Sequence, residues 1–314
     1  MSRDLTRKIS GLLELYNPRF APSAMSSVIL GASIAYYVTK SVDWFSLALA
    51  LCAIALIWYG SFGMNEYGGF VIGIDELSRR LALARSSETG YSASGNVLVR
   101  GVLTARQVLV ASVTSYILGI ALGLYLVFSR GLWWLLPLGS FGILCGLFYE
   151  APPLKLSYRI PGAYDILLPL NVHVLTTLGA FYVMTNAIAL EPVLLSLPAF
   201  AASHSLRVAA AIPDYEADKA YGRLTLVTYL GCRRSLWVAF AENVASCLIL
   251  LVEVFIGVAP PLALAALMFA PLALFNSFAV ARRFEFRSVL SSMKATNLHL
   301  LGHKLLLALI YVVT

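Results

Sequence analysis

Runs of about 20 apolar residues recur along the whole of this 314-residue chain, and such runs leave few ways to fold. Inside hydrocarbon every backbone N–H and C=O has to be satisfied within its own segment, so each run is predicted to be a helix. Nine spans are read, at approximately 20–39, 43–64, 107–127, 132–149, 164–184, 190–212, 235–257, 259–281 and 296–314. A mean hydropathy of +0.81 with only 12% charged residues excludes a soluble domain. The expected fold is all-α: one polytopic membrane domain over 1–314, with nine transmembrane helices around a central cavity. No low-complexity segment or separate soluble unit interrupts it.

Most of the 23 basic residues fall before the first span or after the second, fourth, sixth and eighth. By the positive-inside rule the N-terminus and those loops are cytoplasmic, and a multi-pass protein of the cell membrane is expected. The net charge of +7 then reflects topology and contact with the lipid bilayer, and needs no nucleic acid to explain it. The small residues Gly31, Ala32 and Ser33 imitate a signal-peptide cleavage site, but eight further spans favour retention as an anchor. Cys52, Cys145, Cys232 and Cys247 show no paired spacing and read as packing residues.

The two long cytoplasmic stretches, near 65–106 and 213–234, carry the polar residues that a membrane protein otherwise avoids. In the second, Asp214 and Asp218 are four apart, so on a helix both carboxylates point the same way. Two readings fit. Either the pair holds a divalent cation, with Lys219 and Arg223 beside it for an anionic ligand, or it is a solvated helix end supported by i, i+4 charges. In the first stretch, Asn65 and Asp75 would diverge on an unbroken helix, whereas Gly68, Gly69 and Gly73 allow a bend that brings them together; the alternative is an interfacial loop with Asn65 as a cap. Their positions after spans two and six suggest a duplication facing itself across a cavity. His204, Arg207, Asp214 and Asp218 share one stripe if the sixth helix continues, which would aim Arg207 into that cavity or pair it with Glu242 or Glu253. His299, His303, Lys304, Asn171 and His173 read as polar joints between helices, and most of the aromatics as core or interfacial belt residues.

The stretch Asp214 to Leu226, with Asp-x-x-x-Asp, a basic residue, a Gly and Thr-Leu, resembles the second aspartate-rich motif of the UbiA superfamily of intramembrane prenyltransferases. Tyr149-Glu150-Ala151-Pro152-Pro153-Leu154-Lys155 is similar to the Tyr-x-x-Pro-Pro-Leu-basic segment after that family's fourth helix, and Asn17-Pro18-Arg19 and Gly101-Val102-Leu103-Thr104 fall where it has further elements. Asn65, Tyr67, Gly73, Asp75 and Glu76 are spaced most like the branch acting on 1,4-dihydroxy-2-naphthoate for menaquinone. The resemblance implies a Mg2+-dependent transfer of a polyprenyl group from its diphosphate to an aromatic or other lipophilic acceptor. It implies metal ligation by Asn65, Glu66, Asp75, Asp214 and Asp218. Diphosphate contacts would come from Arg19, Lys155 and Lys219, with Tyr149 near the reacting carbon and Arg207 lining the chamber.

The chain departs from the family's pattern in its first motif, where Glu66 and Gly69 stand at positions that usually hold Asp. Glu66 can still ligate magnesium; Gly69 cannot. Asn96 replaces an expected basic residue, whose charge Arg100 is placed to supply, and Asn17 replaces an Arg. A degenerate member that only binds isoprenoid diphosphate or quinone, and a terpene cyclase on the same fold, are the alternatives; a secondary transporter explains the motifs less well.

Overall fold

The computed structural model describes residues 2–16, 21–89, 97–150 and 153–314, with backbone alone for 2–5 and 85–89. Asn17, Pro18, Arg19, Asn96, Ala151 and Pro152 lie outside the described residues, so the expectations placed on them are left as they stand. The described residues form helices and turns, with no strand among them. In chain order the helices are α1 (Ser2–Tyr16), α2 (Ala21–Thr39), α3 (Trp44–Ile72), α4 (Ile74–Thr89), α5 (Ala105–Arg130) and α6 (Leu135–Leu147). They continue with α7 (Ala163–Pro169), α8 (Thr176–Thr185), α9 (Glu191–Leu194), α10 (Leu197–Ala210) and α11 (Tyr215–Tyr221). The last are α12 (Leu226–Leu230), α13 (Cys232–Phe255), α14 (Ala270–Arg282) and α15 (Phe286–Val313).

Eight segments among the described residues are long and apolar enough to cross a bilayer, and α6 makes a ninth, shorter apolar helix. The fold is that of a polytopic membrane protein. α6 has 13 residues, about 20 Å of helix, so it falls short of a hydrocarbon core of about 30 Å. Gly131 in a left-handed turn starts it late, and a loop at Phe148 ends it early to build the site described below. The fifth span is broken: α7 ends in Pro169, a π turn covers Leu170–Leu175, and α8 completes the crossing. Pro169 adds no N–H to the ladder, which favours such a local rearrangement.

Helix starts follow local chemistry. Asp43 accepts the Ser46 N–H at 3.1 Å to cap α3, and also pairs with Arg130 at the end of α5. Thr104 and Gln107 form a reciprocal capping box on α5. Lateral packing uses small residues, because lipid gives helices no hydrophobic reason to associate. A Cβ on Gly31 of α2 would lie 2.9 Å from Ala180 Cβ of α8, and Gly60 and Gly119 let α3 and α5 meet as closely. The C-terminal half has its own core, in which Val208, Ile212, Leu236, Val280 and Val289 are buried together.

α3 runs two turns beyond the span read for it, to Ile72. Gly73 then takes φ 89°, a left-handed conformation that costs glycine nothing, and α4 starts at Ile74. The sixth span does the reverse. α10 stops at Ala210, so the expected continuous stripe does not exist; Pro213 cannot continue the hydrogen-bond ladder, and Asp214 opens a separate helix, α11.

Candidate active site

One stripe of α3 runs through two adjoining cavities. Ile54, Ile57, Trp58 and Ser61 line an apolar chamber, and Asn65, one turn on, lines a polar pocket. The chamber, of about 190 Å³, lies among α2, α3, α5, α6 and the α7–α8 segment, the first five spans read in the sequence. The expected central cavity consists of two adjoining pockets. The polar pocket, about 200 Å³, joins the two aspartate-bearing segments: Asn65, Asp75, Ser78 and Arg79 line it from one side, and Arg207, Asp214, Asp218 and Arg223 from the other, with Tyr149.

Tyr149 also marks the boundary. Its ring stacks on Tyr164 of α7 with centroids 3.5 Å apart; Tyr149 faces the pocket and Tyr164 the chamber. The Arg207 guanidinium carbon lies 5.5 Å and 5.3 Å from the two ring centres, within cation–π range, and its Nη2 donates to the Tyr149 hydroxyl. Behind Arg207 sits buried Asp165, its Oδ1 3.5 Å from Nε. The other Asp165 oxygen accepts the Leu226 N–H at 2.7 Å and so fixes the start of α12.

Backbone stitching brings the two motif loops into register. Leu224 N–H donates to Ser157 O at 2.8 Å, Gly162 N–H to Leu224 O at 2.8 Å, and Ser157 N–H to Tyr149 O at 3.1 Å. Arg223, only partly reachable by solvent, lies between Glu150 and Asp218, each 1% exposed; it pairs with Glu150 and reaches Asp218 Oδ1 at 3.0 Å. Ser78 of α4 donates to Asp214, tying the first motif to the second.

Of the residues singled out in the sequence, Asn65, Asp75, Tyr149, Arg207, Asp214, Asp218 and Arg223 are brought together. Arg207 pairs with Asp165, not with Glu242 or Glu253; His204 approaches Glu242 at 3.4 Å instead. Glu66 accepts the Leu98 N–H at 3.2 Å and does not line the pocket. Arg100 pairs with Glu14 of α1, and the Lys219 ammonium lies 5.7 Å from the centre of the Tyr215 ring. Lys155 sits in a left-handed turn at φ 44° and is not a lining residue either. Ser78, Arg79, Glu150, Tyr164 and Asp165 enter the site unannounced. Ser78 and Arg79 had a readable signal, three and four residues after Asp75 on one helix, and Glu150 stands inside the segment from Tyr149 to Lys155. The Tyr158 hydroxyl is buried without a hydrogen-bond partner; burial first, then the Asp218 charge, raises its pKa.

The donor set suits a hard cation: carboxylate oxygens and the buried Asn65 Oδ1, which has no hydrogen-bond partner. No three His, Cys, Asp or Glu side chains among the described residues converge on one point. Magnesium bound here would take one or two carboxylates from the protein and the remaining ligands from phosphate and water, its usual mode. Burial pushes the Asp218 carboxyl up to about 8; Asp214 adds to the rise, and Arg207 opposes it. A raised carboxyl favours the protonated folded form. Without metal its contribution to stability is full below about pH 4 and declines as pH rises to about 8. Metal ligation requires the carboxylate, so a Mg2+ ion held here would have to displace that proton. The Mg2+-induced rise in melting temperature is expected to grow from about pH 6 to about pH 8 and then level off. A flat profile across that range would mean that Asp218 is already ionised.

The profile of the UbiA prenyltransferase family matches residues 24–300 of the sequence. The chain belongs to the UbiA prenyltransferase family. A 1,4-dihydroxy-2-naphthoate octaprenyltransferase of Bacillus subtilis (strain 168) is 26% identical over 220 residues, which is 70% of this chain and 66% of the relative, just under two thirds of its length. Solved UbiA structures share the fold. A UbiA homologue from Aeropyrum pernix K1 superposes with a TM-score of 0.67 at 15% identity, covering 93% of this chain and 97% of that one. One from Archaeoglobus fulgidus, bound to GPP and Mg2+, gives 0.62 at 16% identity, covering 97% and 100%.

Proposed function

We propose that this UbiA-family protein transfers a polyprenyl group from its diphosphate to an aromatic or other lipophilic acceptor, with Mg2+, inside the membrane. The observation that carries this reading is the junction at Tyr149 and Tyr164, where a pocket for a charged head meets a chamber for an apolar tail. The diphosphate is held against Arg79, Arg207 and Arg223; the tail lies among Ile54, Ile57, Trp58, Leu138 and Val183. Asn65 and Asp75 on one side, and Asp214 and Asp218 on the other, would hold Mg2+, which offsets the charge that builds on the leaving diphosphate. The allylic C–O bond breaks with its electron pair going to diphosphate, the acceptor's electrons form the new bond to carbon, and the attacked ring carbon then gives up its proton, or CO2 where it carries a carboxylate, to regain aromaticity. The guanidinium groups follow the developing charge, and the stacked tyrosines shield the allylic cation from water. The naphthoate-type relative and the spacing of the first motif support a dihydroxynaphthoate-like acceptor and a place in menaquinone biosynthesis.

The basic loops lie at the pocket end of the bundle, which supports a cytoplasmic site in the cell membrane. Purified protein incubated with labelled polyprenyl diphosphates, 1,4-dihydroxy-2-naphthoate and other aromatic acceptors is expected to form prenylated product with Mg2+ and none with chelator. Binding of the diphosphate without any product would leave the non-catalytic reading. A prenyl hydrocarbon formed without acceptor would identify a cyclase.

A further inference from the structure

Gly69 lies inside α3, where alanine would make the better helix. The space its missing side chain leaves is filled. A Cβ at position 69 would lie 2.5 Å from Asp75 Oδ1, 2.6 Å from Oδ2 and 2.7 Å from Cγ, so the Asp75 carboxylate rests directly on the Gly69 backbone. Two features deliver it there. The left-handed turn at Gly73 folds the chain back over the end of α3, and Asp75, in the first turn of α4, enters the pocket beside Asn65. The buried Asn65 Oδ1, one turn before Gly69, has no hydrogen-bond partner.

We infer that Gly69 is a positioning residue: by having no side chain it seats the Asp75 carboxylate at the end of α3, where Asp75 supplies the charge that a carboxylate on residue 69 would otherwise supply. This inference rests on the proposed diphosphate and metal reading of the pocket. It makes positions 69 and 75 alternatives, because one seat accepts one carboxylate. Gly69→Ala forces the Asp75 carboxylate off its seat, and Gly69→Asp adds a second negative charge where the first already lies. Asp75→Ala removes the three atoms nearest to a Cβ at position 69, so Gly69→Asp combined with Asp75→Ala returns one carboxylate to the seat.

The test is Mn2+ affinity, followed by electron paramagnetic resonance with inorganic pyrophosphate present, on purified full-length protein in detergent. Wild type, Gly69→Ala, Asp75→Ala and the double variant are compared, each first checked for an unchanged melting temperature. Gly69→Ala and Asp75→Ala are each expected to weaken Mn2+ binding at least tenfold, and the double variant to recover to within about threefold of wild type. A merely structural glycine gives no such recovery, since adding a second substitution would only compound the damage. A double variant no tighter than Asp75→Ala, or a Gly69→Ala that binds as wild type does, overturns the inference and leaves the metal reading intact. If Gly69→Asp alone fails to fold while the double variant folds and binds, the shared seat is supported by stability as well. Absence of Mn2+ binding in wild type would instead remove the reading on which the inference rests.

Discussion

Asp218→Asn is expected to lower prenyl transfer by about 10²–10³-fold with the fold intact. The substitution keeps the shape of a side chain that is 1% exposed, and Arg223 keeps Glu150 as its partner, so packing changes little. What is lost is a carboxylate that would hold Mg2+ where charge grows on the departing diphosphate, an interaction stronger in the transition state than in the ground state. The effect should therefore appear in kcat and, through weaker metal binding, in the Mg2+ concentration needed for half-maximal rate. Asp214→Asn should behave similarly and also lose part of its tie to Ser78. Glu76→Gln is the control, because that carboxylate is exposed and paired with Arg80 away from the pocket. Transfer of labelled prenyl groups at saturating Mg2+ decides the matter: rates within threefold of wild type in both aspartate variants would exclude the metal role.

Arg223→Met is expected to destabilise the protein by about 3–5 kcal/mol, the usual loss when one member of a buried ionic group is removed. Glu150 and Asp218 are both about fully buried, and Arg223 is the cation between them. The two carboxylates do not suffer equally. Asp218 is already pushed up to about 8 and escapes much of the penalty by staying protonated near neutral pH; Glu150 bears most of the rest. Adding Glu150→Gln to Arg223→Met should therefore recover a large part of the loss, measured as melting temperature in detergent. No recovery would place the strain at Asp218. Because Arg223 also lines the pocket and sits 5.3 Å from the Tyr149 ring centre, transfer is expected to stay low even in the stabilised double variant.

The asymmetry between the two motifs explains how much of the site could be read in advance. Asp214 and Asp218 are four residues apart, and the step from a helix cap into α11 keeps them on one face even though the longer helix expected there is broken at Pro213. Asn65 and Asp75 are ten apart, and their meeting depends on the turn at Gly73, a bend the glycines permitted but did not require. Glu66 shows the limit of motif reading. The resemblance places it among the metal ligands, yet its Oε1 accepts the Leu98 N–H of the next loop and the residue does not line the pocket. Arg207 was readable as a charge that needs a polar setting, but its partner, Asp165, is 42 residues away in sequence and was not.

The sequence by itself determined that this chain spans a membrane many times, which end carries the charged loops and which aspartates sit together there. Each of these follows from local terms: the length of apolar runs, the cost of leaving backbone groups unpaired in lipid, and helical periodicity. Only the tertiary structure decided that the chamber lies among the first five spans, that Tyr149 and Tyr164 divide it from the pocket, and that Glu150, Arg223 and Asp218 form one buried group. Those features join residues far apart along the chain, and they are fixed by which helices small residues allow to approach and which loop carbonyls remain to be satisfied, neither of which any single segment specifies.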